Sequence, residues 1–419
     1  MNAQAPTRGA ELVAGGRAIG VGPQWLARLW AGGINAILDR IDVGLQRGVI
    51  ETTLPDGSTR ILGGREDGFA CKVRINSPRA LLRLATGGSV GWYQAWEAGE
   101  WDSPDPVPLF ALFMDNGRSL GNAARARGPW RMAVKLGHWL KRNTRAGSLK
   151  NIHAHYDLGN DFYASWLDPT LNYSSAIFEG EHLSLDEAQH RKMEAITRRL
   201  ALPPQGVVLE IGCGWGSLAE HIASEEGASV RAISLSDEQL AYARSSRNGA
   251  PGSISFEKCD YRDVTGEYDA IASVEMVEAV GRAFWPDFLD CITRCLKPGG
   301  RAAIQYISID DAMFEAYAAS ADFIQIYVFP GGMLLRESEF RKLAQVRGLS
   351  WEDQSNFGQD YAETLLVWRK SFDSAVEEGR VPQGFDEHFV RLWRYYLMYC
   401  EGGFRGGGIN VSQVTLVKG

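Results

Sequence analysis

The stretch that most constrains the chain lies at 207–216. Val207-Val208-Leu209-Glu210-Ile211 reads as a short apolar strand running straight into Gly212-Cys213-Gly214-Trp215-Gly216. Glycines at alternate positions let the backbone take positive φ and come close to a ligand. The helical stretch Ser217–Glu226 follows, so the unit opens a βαβ fold. The alternation then continues. Ser229–Ser234, Tyr268–Val274 and 301–307 read as strands. Segments 237–246 and Trp285–Cys295 read as helices, the latter ending at Lys297-Pro298-Gly299-Gly300. This predicts an α/β fold with a doubly wound, mostly parallel, Rossmann-like sheet. Helical insertions are expected near 336–347, 361–372 and 385–400, with a closing strand after Gly406-Gly407-Gly408.

The loop reads E-x-G-x-G-x-G, not G-x-G-x-x-G, and the difference has chemical content. The dinucleotide fingerprint offers a helix N-terminus to a pyrophosphate. S-adenosylmethionine has no phosphate; it carries a sulfonium cation and an amino acid, which suit an acidic strand end such as Glu210. The loop therefore favours a methyltransferase over a dehydrogenase. Gly212, Gly214 and Gly216 become cofactor-binding candidates. Nucleotide sites often end the second strand with Asp or Glu for the ribose. Here that strand ends at Ser234, so Ser234 and Gln239 are expected to serve instead. Asp260 and Tyr261 are placed to hold the adenine amine and stack on its ring.

Upstream, 20–115 reads as a small α+β unit. A helix is expected over 34–49, and strands 49–53 and 59–62 flank the turn Pro55-Asp56-Gly57. Strand 71–75 and helix 78–84 follow. Trp92, Tyr93, Trp96 and Trp101 crowd the next stretch, and a packed core is their default reading. The expected domains are thus 1–115, a basic linker or amphipathic helix at 116–150, and a catalytic domain at 151–419.

Charge is unevenly distributed. The 44 basic and 51 acidic residues give −7 overall. Yet 116–156 holds nine bases, Arg118, Arg125, Arg127, Arg131, Lys135, Lys141, Arg142, Arg145 and Lys150, and no acid. The rest of the chain therefore carries −16. Met132, Val134, Leu136, Trp139 and Leu140 are interleaved with these bases, the pattern of a basic amphipathic helix; a solvated linker gives the same composition. The acidic average argues against nucleic acid as a partner. The longest apolar run, 107–114, is too short for a membrane span, and the N-terminal residues lack a secretory pattern. Six cysteines show no C-x-x-C, and no histidine motif suggests a metal.

Several motifs taken together resemble the cyclopropane-fatty-acyl-phospholipid synthases and their mycolic acid methyltransferase relatives. They lie at 155–163, 167–169, Tyr173-Ser174-Ser175-Ala176-Ile177-Phe178, 210–216, 235–239, Val277-Glu278-Ala279-Val280-Gly281, 329–332, 356–361 and 399–405. The resemblance is strong over 150–419 and weaker over the first 115 residues. It implies transfer of a methyl group from S-adenosylmethionine to the double bond of an unsaturated acyl chain, with Tyr173 and Ser174 joining the cofactor site. The family's ring-closing base is a bicarbonate held by a Cys, a Glu, a His, a backbone carbonyl and a Tyr. Carried over, the Glu is Glu278, the carbonyl Ile307 and the Tyr Tyr361. Ser175 stands where the family has Cys, and Gln305 where it has His. Both can donate hydrogen bonds to an anion. The substitutions also suit an enzyme that leaves a methyl or methylene branch rather than a ring.

The expected partners are the unsaturated acyl chains of membrane phospholipids and, through 118–150, an anionic membrane surface. Each base near such a surface adds on the order of 1 kcal/mol. That implies a cytoplasmic enzyme reversibly held at the inner face of the membrane, and the resemblance is compatible with a homodimer. Trp215, Tyr306, Phe329 and Phe357 are candidates for lining the acyl channel. Two other readings remain open: a methyltransferase of a soluble natural product, and a lipid-binding protein whose site no longer turns over.

Overall fold

A computed structural model describes residues 8–17, 33–121, 158–245, 252–320 and 322–419. Most of the basic segment, 122–150, lies outside the described residues, as does 155–157 of the first motif. The described chain forms two compact units.

The first unit joins the N-terminal segment to residues 310–330 and 383–409. Its sheet has the order β2-β1-β3-β4, with β1 Arg47–Thr53, β2 Thr59–Gly63, β3 Glu66–Ile75 and β4 Trp101–Asp102. β1 and β2 form the expected hairpin. Gly57 at its tip has φ +82°, and the Asp56 carboxylate accepts the Ser58 N–H at 2.9 Å, closing the turn. The preceding helix is shorter than its apolar spacing suggests, ending at Gly44. The chain must turn there to enter β1, which begins at Arg47 and needs φ +78° at Gly48. The aromatic segment forms core. Trp92 stacks on Trp101 at 4.3 Å, and Tyr93 packs against Phe323, Tyr327 and Tyr395. These rings explain why the late segments belong to this unit.

The second unit carries a seven-stranded sheet ordered β10-β11-β9-β8-β5-β6-β7. Its strands are β5 Val207–Ile211, β6 Ser229–Ser234, β7 Ser253–Lys258, β8 Tyr268–Val274, β9 Leu296–Ile309, β10 Leu349–Asn356 and β11 Ile409–Lys418. β5 to β9 pair in parallel, and β10 and β11 pair antiparallel. The sheet is therefore doubly wound and mostly parallel. The chain steps outward from β5 through β6 to β7, then returns to β8 on the other side of β5. Ligands of such sheets bind at the carboxyl ends of the strands flanking that reversal. Here those ends are Glu210 and the turn after Val274.

Helix Leu185–Leu200 shapes the same region. Ser184 and Glu187 form a reciprocal capping box at its start. Its inner face carries Ala188, Met193, Ile196 and Leu200, and at the same spacing Gln189 and Lys192. Two polar side chains are thus carried into the interior. No helix among the described residues is long and apolar enough to cross a membrane.

Candidate active site

The glycine loop leaves β5 with φ values of +86° at Gly212, +53° at Gly214 and +93° at Gly216. A side chain at Gly212 would meet Met276 at 2.8 Å, and one at Gly216 would meet Phe256 at the same distance. Gly214 faces open space, so its bare backbone leaves room for a ligand. The Gly212 and Cys213 N–H groups both donate to the Ile233 carbonyl at 3.0 Å, pinning the loop to β6.

Glu210 is buried beside this loop, and its Oε2 has no hydrogen-bond partner among the described residues. Burial raises its carboxyl to about 8, opposed by Lys192. A buried acceptor left open next to an unfilled backbone cradle fits a ligand bearing donors and positive charge, as S-adenosylmethionine does.

The other cofactor candidates divide into two groups. Ser234, at the end of β6, donates to Gln239 Oε1 at 3.3 Å, which places the two side by side. Ser174 is buried and its hydroxyl accepts from Lys192 Nζ at 2.8 Å. Tyr173 sits among Tyr163, Trp166 and Trp368. By contrast, the Asp260 carboxylate is gripped by Arg262 through its backbone N–H and its guanidinium. Tyr261 is buried edge-on to Phe288. Among the channel candidates, Tyr306 is fully buried and donates to Glu337 at 3.0 Å, a core position. Trp215 donates to Asn160 at 2.8 Å beside Tyr163. Phe357 precedes helix Gly358–Glu377, and Phe329 lies against Tyr396 in the first unit.

Three of the five catalytic candidates donate to a residue the sequence reading did not single out, Glu275. Its Oε1 accepts the Ser175 N–H at 2.9 Å and the Gln305 amide at 2.8 Å. Its Oε2 accepts the Tyr361 hydroxyl at 2.8 Å. Glu275 is the first residue beyond β8 and has φ +48°, a left-handed conformation that costs a non-glycine residue about 1–3 kcal/mol. Its N–H donates to the Gln305 carbonyl at 2.9 Å, which holds that turn. Gln305 is oriented in turn by Gln413, whose Nε2 donates to Gln305 Oε1 at 3.0 Å. The Gln305 NH2 group is thereby aimed at Glu275.

Glu278 lies three residues on, at the start of helix Val277–Val280. Its Oε1 accepts the Ile307 N–H, and its buried Oε2 has no partner among the described residues. The Ile307 carbonyl, the expected anion ligand, accepts the Leu335 N–H at 3.1 Å. Burial pushes the Glu278 carboxyl up to about 8, and the Glu275 charge pushes the same way. Burial also raises Glu275, but its three donors and Lys192 pull it down. Two adjacent buried carboxyls hold one negative charge more easily than two. The charge belongs on Glu275, which has three donors, and the proton on Glu278, which has one.

Lys192 joins the two clusters. It is buried, with Nζ bonded to Asn172 at 3.0 Å and Ser174 at 2.8 Å. Burial lowers it to about 8, while Glu275, Asp168 and Glu210 draw it upward. Sequence spacing along helix Leu185–Leu200 placed it on an inward face, which is the signal that could have found it. For Glu275 the available signal was a second glutamate three residues before Glu278, at a strand end.

A sheet that reverses at β5, a glycine cradle with an open acceptor, and acids at the neighbouring strand end define an S-adenosylmethionine-dependent methyltransferase. The model of the family described as mycolic acid cyclopropane synthetase matches residues 143–414, and the chain belongs to that family. It is 34% identical over 377 residues to tuberculostearic acid methyltransferase UfaA1 of Mycobacterium tuberculosis, covering 85% of each chain. It is 32% identical over 349 residues to the cyclopropane-fatty-acyl-phospholipid synthase of Escherichia coli K12, covering 83% of this chain and 88% of that one. Among solved structures, mycolic acid cyclopropane synthase CmaA1 complexed with SAH and CTAB superposes with a TM-score of 0.61 at 27% identity. That match covers 64% of this chain and 98% of the other.

Proposed function

We propose that the enzyme methylates the double bond of unsaturated acyl chains in membrane phospholipids, leaving a cyclopropane or a methyl- or methylene-branched chain. The observation that carries this reading is the acid pair at the end of β8, one carboxylate held by three donors and its neighbour presenting an open, buried oxygen. The names of the relatives, a tuberculostearic acid methyltransferase and a cyclopropane-fatty-acyl-phospholipid synthase, support it. An alkene is a weak nucleophile, and its methylation produces a carbocation. A negative charge enclosed beside the reacting carbons stabilises that cation far better than water does.

Bound S-adenosylmethionine supplies an electrophilic methyl on a sulfonium. Glu210 and the bare backbone of Gly212, Gly214 and Gly216 hold it, with Ser174, Tyr173, Ser234 and Gln239 at the rim; Asp260 and Tyr261 reach it only with Arg262 in attendance. Glu278, Tyr361, Ser175, Gln305 and Ile307 frame the catalytic end. The segment 118–150 serves as the docking face for an anionic membrane on the cytoplasmic side, and a homodimer accords with this reading.

The test incubates the enzyme with methyl-labelled S-adenosylmethionine and unsaturated phospholipid vesicles, then takes mass spectra of the released chains. A gain of one methylene equivalent is expected, and the fragmentation pattern separates ring from branch. Absence of label from every lipid, with label in a soluble acceptor, overturns the reading. Neutralising the bases at 125–145 is expected to weaken binding to anionic vesicles and leave binding of the cofactor untouched.

A further inference from the structure

The five positions expected to hold bicarbonate do not form an empty anion site. Ser175 offers its N–H to Glu275, Gln305 its amide and Tyr361 its hydroxyl, at 2.9, 2.8 and 2.8 Å. The Ser175 hydroxyl donates to the Ala176 carbonyl at 3.0 Å. An anion at this spot would compete with Glu275 for three donors and sit against its charge. The donors are there, and a carboxylate of the chain already fills them.

We propose that Glu275 is itself the anion of this site, stabilising the cation formed on methyl transfer and taking the proton it sheds, so that this enzyme needs no bicarbonate. The inference rests on the alkene-methylation reading above. The step balances without an added reagent. The carbon–sulfur bond to the methyl breaks as the alkene π pair forms the new carbon–carbon bond, and the sulfur leaves as a neutral thioether. A C–H bond beside the cation then breaks, its electron pair closing a ring or forming a double bond. The proton passes to Glu275 Oε2, which among the described residues accepts only the Tyr361 hydroxyl, whereas Oε1 already has two donors.

A carboxylate held by three donors is a weak base, but a C–H bond next to a carbocation is very acidic. Position therefore decides the step, not base strength. The chain fixes position at some cost. A non-glycine residue at φ +48° turns the side chain off the end of β8, and Gln413 keeps the Gln305 amide facing it. Glu278, raised to about 8 by burial and by the neighbouring Glu275 charge, stays protonated and so leaves the charge of the pair on Glu275.

Two measurements test the proposal and keep it separable from the reading it rests on. The first needs no lipid. Labelled bicarbonate is titrated by carbon NMR into wild-type enzyme and into Glu275→Gly, each saturated with S-adenosylhomocysteine. No saturable binding by wild type and millimolar binding by Glu275→Gly are expected. Saturable binding by wild type, or a Glu275→Gly enzyme that takes S-adenosylhomocysteine but no bicarbonate, overturns the proposal. The second follows turnover on unsaturated vesicles in carbonate-free buffer. The wild-type rate should not change when bicarbonate is added. Glu275→Gln should lose about 10²-fold or more in kcat, the range of a general base, with the cofactor Kd unchanged. Bicarbonate or formate should restore part of the rate to Glu275→Gly and none to Glu275→Gln. A wild-type rate that depends on bicarbonate, or a Glu275→Gln enzyme near wild-type rate, overturns the proposal. If no lipid is labelled at all, the functional reading fails, and the NMR titration still decides whether Glu275 occupies the anion's place.

Discussion

The cofactor cradle and the acid pocket sit at the ends of neighbouring parallel strands, yet they are built in opposite ways. The cradle is made by omission: a bare Gly214, an open Glu210 oxygen and a loop pinned by two backbone bonds. The pocket is made by saturation, with Glu275 taking three donors and a strained backbone setting its direction. An exchangeable ligand needs vacated acceptors. A group that must stay fixed through each turnover needs filled ones. Lys192 is the element the two share, and it offers the strongest way to break the comparison.

Lys192→Met removes a buried cation whose charge reaches Glu210, Glu275 and Asp168. Breaking a buried ionic cluster by deleting one partner costs about 3–5 kcal/mol. A loss in that range is expected in urea unfolding of the apoenzyme at pH 7. The loss should shrink at pH 5.5. Glu275 and Asp168, which burial already raises, can protonate there once the cation is gone, whereas Glu210 is largely protonated at both pH values. An equal loss at both pH values would mean that packing, not charge, is the role of Lys192.

Glu278→Gln sharpens the pocket side. Glu278 carries the proton of the pair, so the neutral amide should leave the charge on Glu275. It should lower kcat by no more than about tenfold, the scale of one altered neutral hydrogen bond. A loss of about 10²-fold would place the charge on Glu278. Cofactor Kd should not change, since Glu278 belongs to the pocket and not to the cradle. A parallel loss of cofactor binding would show that the two regions are one.

The cradle has its own pH signature. Glu210 is raised to about 8, so at neutral pH it is largely protonated in the empty enzyme. A cationic ligand favours the carboxylate. Binding should therefore release a proton below pH 8, and affinity should rise about tenfold per pH unit between 6.5 and 7.5. Above pH 8 the gain should level off, while deprotonation of Lys192 removes a competing positive charge. Calorimetry in two buffers of different ionisation enthalpy measures the proton. Glu210→Gln should bind more weakly and lose the pH dependence.

How much of this was legible beforehand follows from what each region is made of. A glycine loop on an apolar strand is a local pattern, and Glu210, Gly212, Gly214 and Gly216 lie within seven residues of one another. The strands over Val207–Ile211, Ser229–Ser234 and Tyr268–Val274 carry their own periodicity and stand as expected. The pocket draws on Ser175, Glu275, Gln305 and Tyr361, whose juxtaposition is a product of the sheet order. Motif resemblance could nominate the donors, but nothing local marks what they donate to. The left-handed φ of Glu275 is imposed by the turn after β8, and glutamate is not a residue that advertises such a conformation. Asp260 is a contrasting case. Its place after β7 was foreseeable, but Arg262, two residues on, takes up the carboxylate.

The smallest effect is expected furthest from the chemistry. Gln413 on β11 donates to Gln305 and accepts from Arg199 Nε at 3.2 Å, so its amide orientation is fixed from both sides. Gln413→Leu removes both hydrogen bonds. The one that bears on the site, the neutral bond to Gln305, is worth about 1 kcal/mol, so kcat should fall by roughly fivefold. Gln413→Glu retains the acceptor for Arg199 but cannot donate to Gln305. The Gln305 amide would then turn its NH2 to the new carboxylate and its oxygen to Glu275, placing an acceptor against an acceptor. The near-isosteric Glu should therefore be more harmful to kcat than the shape-changing Leu, with cofactor Kd unaffected in both. The reverse order would mean that Gln413 merely fills space, and that the direction of the Gln305 amide is set by Glu275 alone.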